Sequence, residues 1–230
     1  MNETTLNVDP HINHQVDKYP SISIITPNYN GGRFIVKCIQ SVIDQNYPCL
    51  EFIIIDGGST DQSHNIFQKH ASQISHWEIQ KTMNQSQAIN YGIMLSKGEI
   101  VNWLCSDDYL KPTALFNVAK EFIKDPEIDI VAGRGEYVFL DSGKSWLFKP
   151  RKDLDLIPAV MPCAQPSCFF KKKILRPLPL DETYDYVMDL ELMAHFKTSK
   201  ARWKFSDIPL SVSVSGHANK SSTGKEKINP

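Results

Sequence analysis

The stretch "EFIIIDGGSTD", Glu51 to Asp61, decides the fold. From Phe52 to Ile55 it is apolar at every position, so it needs cover on both faces. That suits a central parallel strand better than a one-sided antiparallel one. The run stops at Asp56 and two glycines, which read as a turn. Upstream, "SISIITPNYN" holds Ile22, Ile24 and Ile25 in a short β-branched strand. Between the two, "RFIVKCIQSVIDQ" places Phe34, Ile35, Cys38, Ile39, Val42 and Ile43 at helical spacing. Downstream, Ser59 and Gln62 have the spacing of a capping box opening a helix over "DQSHNIFQKH". A strand at His76–Ile79, a helix over "SQAINYGIMLSKG" closed by Gly98 and a strand "EIVNWLCS" continue the alternation. The expected fold class is α/β, a doubly wound, mostly parallel sheet flanked by helices.

Beyond Leu110 the texture changes. Pro112 suits the first turn of a helix over "PTALFNVAKEFIK". "IDIVAGRGEYVFLDSGKSWLFKP" reads as strands around a "DSG" turn, so a smaller mixed or antiparallel portion follows the parallel half. "YDYVMDLELMAHFK" predicts a late helix, with "ARWKFS" and "LSVSVSGH" as terminal strands. The expected organisation is a flexible arm over 1–20, one domain over 21–217 divided near 110, and a polar tail over 218–230.

Composition narrows the function classes. With 41% hydrophobic and 22% charged residues the chain is an ordinary globular protein, and its net charge of −1 gives no support for a nucleic-acid partner. Five cysteines lie far apart without a CxxC spacing, which argues against a zinc site or disulfide framework and fits a reducing cytoplasm. The N-terminal stretch lacks an apolar signal core, and no segment approaches the roughly 18 apolar residues of a membrane helix. Membrane association would then be peripheral, at the inner face or through a partner.

Ligands of open α/β sheets bind outside the carboxyl ends of the parallel strands. Thr26 and Asn28 follow the first strand, Asp56 the second, and Asp107 and Asp108 the fourth, so the fold collects them on one edge. Neither GxGxxG nor GxxxxGK[ST] is present, so no glycine loop cradles a phosphate. A bound nucleoside diphosphate would need another counter-charge, such as Mg²⁺ or Mn²⁺ held by carboxylates. Taken alone, an Asp pair is more often turn chemistry or a helix cap. Its coincidence with Asp56 on one sheet edge favours a site.

Five segments in order carry a resemblance: "ISIITPNYN", "EFIIIDGGSTDQS", "QSQAINYGIMLSKGEIVNWLCSDDYLKPTAL", "QPSCFFKKKIL" and "YVMDLELMAHF". From Ser21 to His217 the chain resembles a family 2 glycosyltransferase of the GT-A fold. The resemblance implies an inverting, metal-dependent enzyme that moves a sugar from a nucleotide-sugar donor, by default a UDP-sugar. The implied acceptor is a hydroxyl on a glycan or lipid-linked glycan, as in bacterial surface polysaccharide synthesis. It places Thr26, Pro27 and Tyr29 around the base, Asp56 at base or ribose, Asn90 on the donor side and Asp107 at the ribose. It makes Asp108 the ligand of a divalent metal, Mn²⁺ or Mg²⁺, with His217 close to metal and diphosphate. It makes Asp189 the catalytic base.

Read without that resemblance, Asp189 is an ordinary helix residue, and Asp185 and Glu191 are rival bases. The chain also departs from the family pattern. Gly57 stands where many relatives carry a second acid, Thr82 and Gln87 where an acid is common, and Tyr91 where a lysine is common. Two rival functions follow: a binding module of the same fold with little turnover, and a sugar nucleotidyltransferase. The second would carry a glycine- and basic-rich loop after the first strand, where "TPNYNGGRF" offers only Arg33.

Overall fold

The computed structural model describes residues 19–216 except 158 and 185. The predicted parallel core is present. β1 (Ile22–Asn28) lies between β2 (Leu50–Asp56) and β4 (Ile100–Trp103), and β3 (His76–Ile79) pairs with the outer side of β2, all parallel. Alternate residues of these strands face opposite layers. Ile22, Ile24, Phe52 and Ile54 pack under α1 (Ile35–Ile43), α2 (Ser63–Lys69) and α4 (Ala114–Lys124). On the other face, Ile25, Val101 and Trp103 pack with residues of α3 (Gln85–Leu95) and α5 (Met188–Thr198), while Ile53 and Ile55 meet Ala88. This two-sided burial is what the apolar run 52–55 demanded.

The second half extends the same sheet with mixed pairing. β8 (Cys168–Lys171) runs antiparallel to β4 and to the first residues of β6 (Ile130–Phe139). The far end of β6 pairs with β7 (Ser145–Phe148) through the predicted "DSG" turn, where Gly143 takes a φ of +64°. β9 (Trp203–Ser215) runs parallel to β6, and β5 (Tyr109–Leu110) closes the edge beside β9. Among the described residues the order is β3-β2-β1-β4-β8-β6-β9-β5, with β7 beside β6.

Several local expectations need correction. The two terminal strands are one, since β9 continues through an irregularity opposite Arg134 instead of breaking. The Ser59–Gln62 capping box does not form, because the Ser59 hydroxyl is bound to Asp56 at 2.6 Å. The box that does form is Asn84 with Gln87, at the start of α3. Pro112 falls before its helix, which is entered through Thr113 in a left-handed conformation (φ +61°). The fold also begins earlier than the expected arm allowed. The Tyr19 ring packs edge-on against Tyr47 and Phe116, and the Tyr47 hydroxyl donates to the Pro20 carbonyl at 2.6 Å. Otherwise the arm and the 218–230 tail lie outside the described residues.

Candidate functional site

The carboxyl edge of β1, β2 and β4 gathers the polar residues, but not all in the roles expected. Asp56 has no exposed surface. Its Oδ1 accepts from the Gly58 and Ser59 backbone N–H groups at 3.0 and 2.7 Å and lies 2.9 Å from His64 Nε2. Its Oδ2 accepts from Asn28 Nδ2 at 2.7 Å and the Ser59 hydroxyl at 2.6 Å. Burial alone would raise its pKa, but Ser59, His64 and Asn28 together hold the carboxyl below its ordinary range. Asp56 therefore organises the turn, with both carboxyl oxygens engaged inside the fold. Thr26 and Pro27 are likewise buried, with the Thr26 hydroxyl 3.8 Å from Cys38 Sγ. Of the three residues expected around the base, only Tyr29 shows its ring, at 67% exposure.

Gly57 explains one departure from the family pattern. A Cβ there would stand 3.0 Å from the Met83 carbonyl and 3.5 Å from the Tyr29 ring. An acidic side chain at this position would require the β3–α3 segment to give by a few tenths of an ångström. Asn90 is also committed internally. Its Nδ2 donates to the Leu180 carbonyl at 2.9 Å and to Glu182 Oε1 at 3.0 Å, and its Oδ1 accepts from the Leu180 N–H at 2.9 Å. It ties α3 to the segment before α5. Tyr91, in the lysine-like position, donates to Glu78 Oε2 at 3.1 Å.

The "CSDD" turn is where acidity concentrates. One ligand atom each from Cys105, Asp107 and Asp108 lies within 4.8 Å of the others. Asp108 is buried, and its Oδ1 accepts the Val214 N–H of β9 at 3.2 Å. Burial and the adjacent Asp107 push the Asp108 carboxyl well above its ordinary range, against the pull of Val214 and the Ser213 hydroxyl. Burial pushes Asp107 up as well. Two crowded, desolvated carboxyls beside a thiol are a donor set that a divalent cation would relieve, so the residues fit the metal that the sequence implied. Cys105 was missed as a member of this set. Its spacing in "CSDD", three potential ligands within one turn, was the available signal.

Asp189 sits in the first turn of α5, half-buried, with its Oδ1 accepting the Leu190 N–H at 2.9 Å. Burial raises its pKa. Its charge acts on the Cys105 thiol and on the Tyr137 phenol, both of which also feel Asp108. The fold thus brings Asp189 into the same electrostatic neighbourhood as the "CSDD" turn, 81 positions earlier in the case of Asp108. The rival Glu191 is paired with Arg176. Asp185 and His217 lie outside the described residues, so the structure places neither.

Residues 23–178 match the model of glycosyl transferase family 2, more than half of the chain, and this chain belongs to that family. Among curated relatives, a chondroitin synthase of Escherichia coli is 31% identical over 144 residues, 60% of this chain and 21% of that protein. S. aureus TarS (residues 1–349) in complex with UDP-GlcNAc superposes with a TM-score of 0.70 at 18% identity, over 88% of this chain and 61% of that one. Mannosyltransferase PcManGT from Pyrobaculum calidifontis, in complex with GDP-Man and Mn²⁺, gives 0.67 at 17% identity, over 90% and 60%. These likenesses establish the fold as GT-A. The chain spans 37% to 57% of the length of three other curated relatives it matches. Among the described residues, no helix is long and apolar enough to cross a membrane.

Proposed function

We propose that the chain is an inverting, metal-dependent transferase that moves a sugar from a nucleoside-diphosphate sugar to an acceptor hydroxyl. The observation that carries this reading is the cluster of Cys105, Asp107 and Asp108 on the sheet edge, with Asp189 in reach of the same charges. Asp108 would hold Mn²⁺ or Mg²⁺. When bound, that ion would offset the diphosphate charge and act as a Lewis acid for the leaving group.

The remaining work belongs to the side chains. The exposed Tyr29 ring offers a face on which a base can stack, beside the backbone of Gly57. Asp107 would accept from the ribose hydroxyls. Asp189 would take the proton of the acceptor hydroxyl as its oxygen forms the new bond to the anomeric carbon and the bond to the diphosphate breaks. A UDP-sugar is the donor we favour, on the likeness to a UDP-GlcNAc complex, and a growing polysaccharide the acceptor, on the likeness to a polysaccharide synthase.

The test is release of nucleoside diphosphate from a panel of UDP-sugars and GDP-mannose with Mn²⁺, for the wild type and Asp189→Asn. The variant should bind donor as the wild type does and lose about 10²–10⁴-fold in transfer. No release from any donor would favour the binding module. Full transfer by the variant would remove Asp189 as base.

A further inference from the structure

The β6–β7 hairpin carries a second feature that the donor site does not use. Trp146 is 54% exposed and stacks on Tyr137, with ring centroids 5.8 Å apart and planes 25° from parallel. Buried Phe148 supports both rings edge-on, at 6.3 Å from Tyr137 and 5.4 Å from Trp146. The register shows where this pair leads. Tyr137 lies opposite Trp146 on β7 and opposite Ser213 on β9. Directly paired residues put their side chains on the same face of a sheet. The Val214 N–H, next to Ser213 on β9, donates to Asp108 Oδ1 at 3.2 Å. One row therefore crosses three strands on one face, Trp146 to Tyr137 to Ser213, and ends at the "CSDD" turn. Two strand spacings put Trp146 about 10 Å from the Ser213 end of that row. The Tyr137 phenol is pushed up to about 12, by burial and then by the charges of Asp108 and Asp189. Through the strand pairing and the Val214–Asp108 contact, the platform borders the "CSDD" turn.

We infer that Trp146 and Tyr137 form a subsite for a pyranose ring of the acceptor, one or two sugars away from the reacting hydroxyl. Aromatic faces carry negative charge density, and the C–H face of a pyranose is its positive complement. Surrounding carboxylates accept from sugar hydroxyls, as in binding sites that combine aromatic walls with a few polar groups. An anionic lipid surface fits less well, because the row ends at the acidic "CSDD" turn through Asp108. The inference rests on the proposed transferase reading for its use, but not for its test.

Trp146 also supplies the readout. Trp103 is fully buried, and Trp77 and Trp203 are half-buried, so neutral quenchers reach Trp146 first. Acrylamide quenching of the whole chain would be titrated with hyaluronan, chondroitin and chitin hexasaccharides, with UDP plus Mn²⁺, and with phosphatidylglycerol vesicles. At least one hexasaccharide should give a saturable loss of quenching, and Trp146→Ala should weaken its binding by calorimetry about ten-fold or more. Trp146→Phe keeps a stacking ring, so it should retain binding while losing the fluorescence response. No loss of quenching with any hexasaccharide, in protein whose melting temperature UDP and Mn²⁺ raise, overturns the subsite and leaves the donor reading standing. Protection by vesicles but not by saccharides also overturns it, in favour of a membrane contact. Protection by a saccharide without any response to UDP keeps the subsite and removes the donor reading.

Discussion

Asp56, buried at a strand end, and Asp189, half-buried at a helix start, have surroundings that drive them in opposite directions. Hydrogen bonds from Ser59, His64 and Asn28 depress Asp56 against its burial, whereas Asp189 has a backbone N–H at 2.9 Å and is raised by burial. The depressed folded pKa of Asp56 means it stabilises the protein above its unfolded value of about 3.9 and loses that contribution as pH falls through the folded value. Asp56→Asn should cost about 3 kcal/mol or more at neutral pH and flatten the acid limb of the denaturation profile, as read from urea midpoints against pH. For Asp189 the sign is reversed in its effect on activity. The proton acceptor must be ionised, so transfer should fall off on the acid side at a pH above the usual carboxylate range. A pH–rate profile whose acid limb lies at or below about 3.9 would exclude Asp189 as the group observed. The residue types at the site were legible in the sequence, but their division into donors and scaffold was not. Asp56, Thr26 and Asn90 each fall on the donor side, and each turns its polar atoms inward. That depends on partners such as Leu180 and Ser59, which pattern and spacing do not reveal.

Among the elements, α3 shows how close packing sets the site. Gly92 faces β1 at a distance where an added Cβ would lie 2.4 Å from Ile25 Cγ2, in a fully buried and β-branched side chain. Alanine would ordinarily gain about 1 kcal/mol over glycine inside a helix. Here overpacking, typically 1–3 kcal/mol, should outweigh that gain, so Gly92→Ala is expected to lower the urea midpoint by about 1 kcal/mol of stability. An unchanged or raised midpoint would mean that α3 shifts freely on the sheet. The strands of the parallel half were legible because two-sided burial leaves continuous apolar runs. β9 was not read as one strand because Pro209 interrupts its pattern, and only its pairing with β6 shows that the strand continues past it. The Asn84–Gln87 box was hidden by a polar run, "NQSQ", in which several residues have capping chemistry.

For the whole molecule, the architecture separates two tasks. The parallel half presents the "CSDD" turn and Tyr29 on its carboxyl edge, and the mixed half packs β9 against that turn, where the Val214 N–H donates to Asp108. Membership of glycosyl transferase family 2 rests on residues 23–178, which span both halves up to the segment before α5. The central claim is that Asp108 anchors a divalent cation through which the donor diphosphate is held. Isothermal titration of UDP into the wild type and Asp108→Asn, each with Mn²⁺ and with chelator, tests it most directly. The wild type should bind with Mn²⁺, and affinity should fall at least about ten-fold on chelation or in the variant. Equal binding in all four titrations would contradict it.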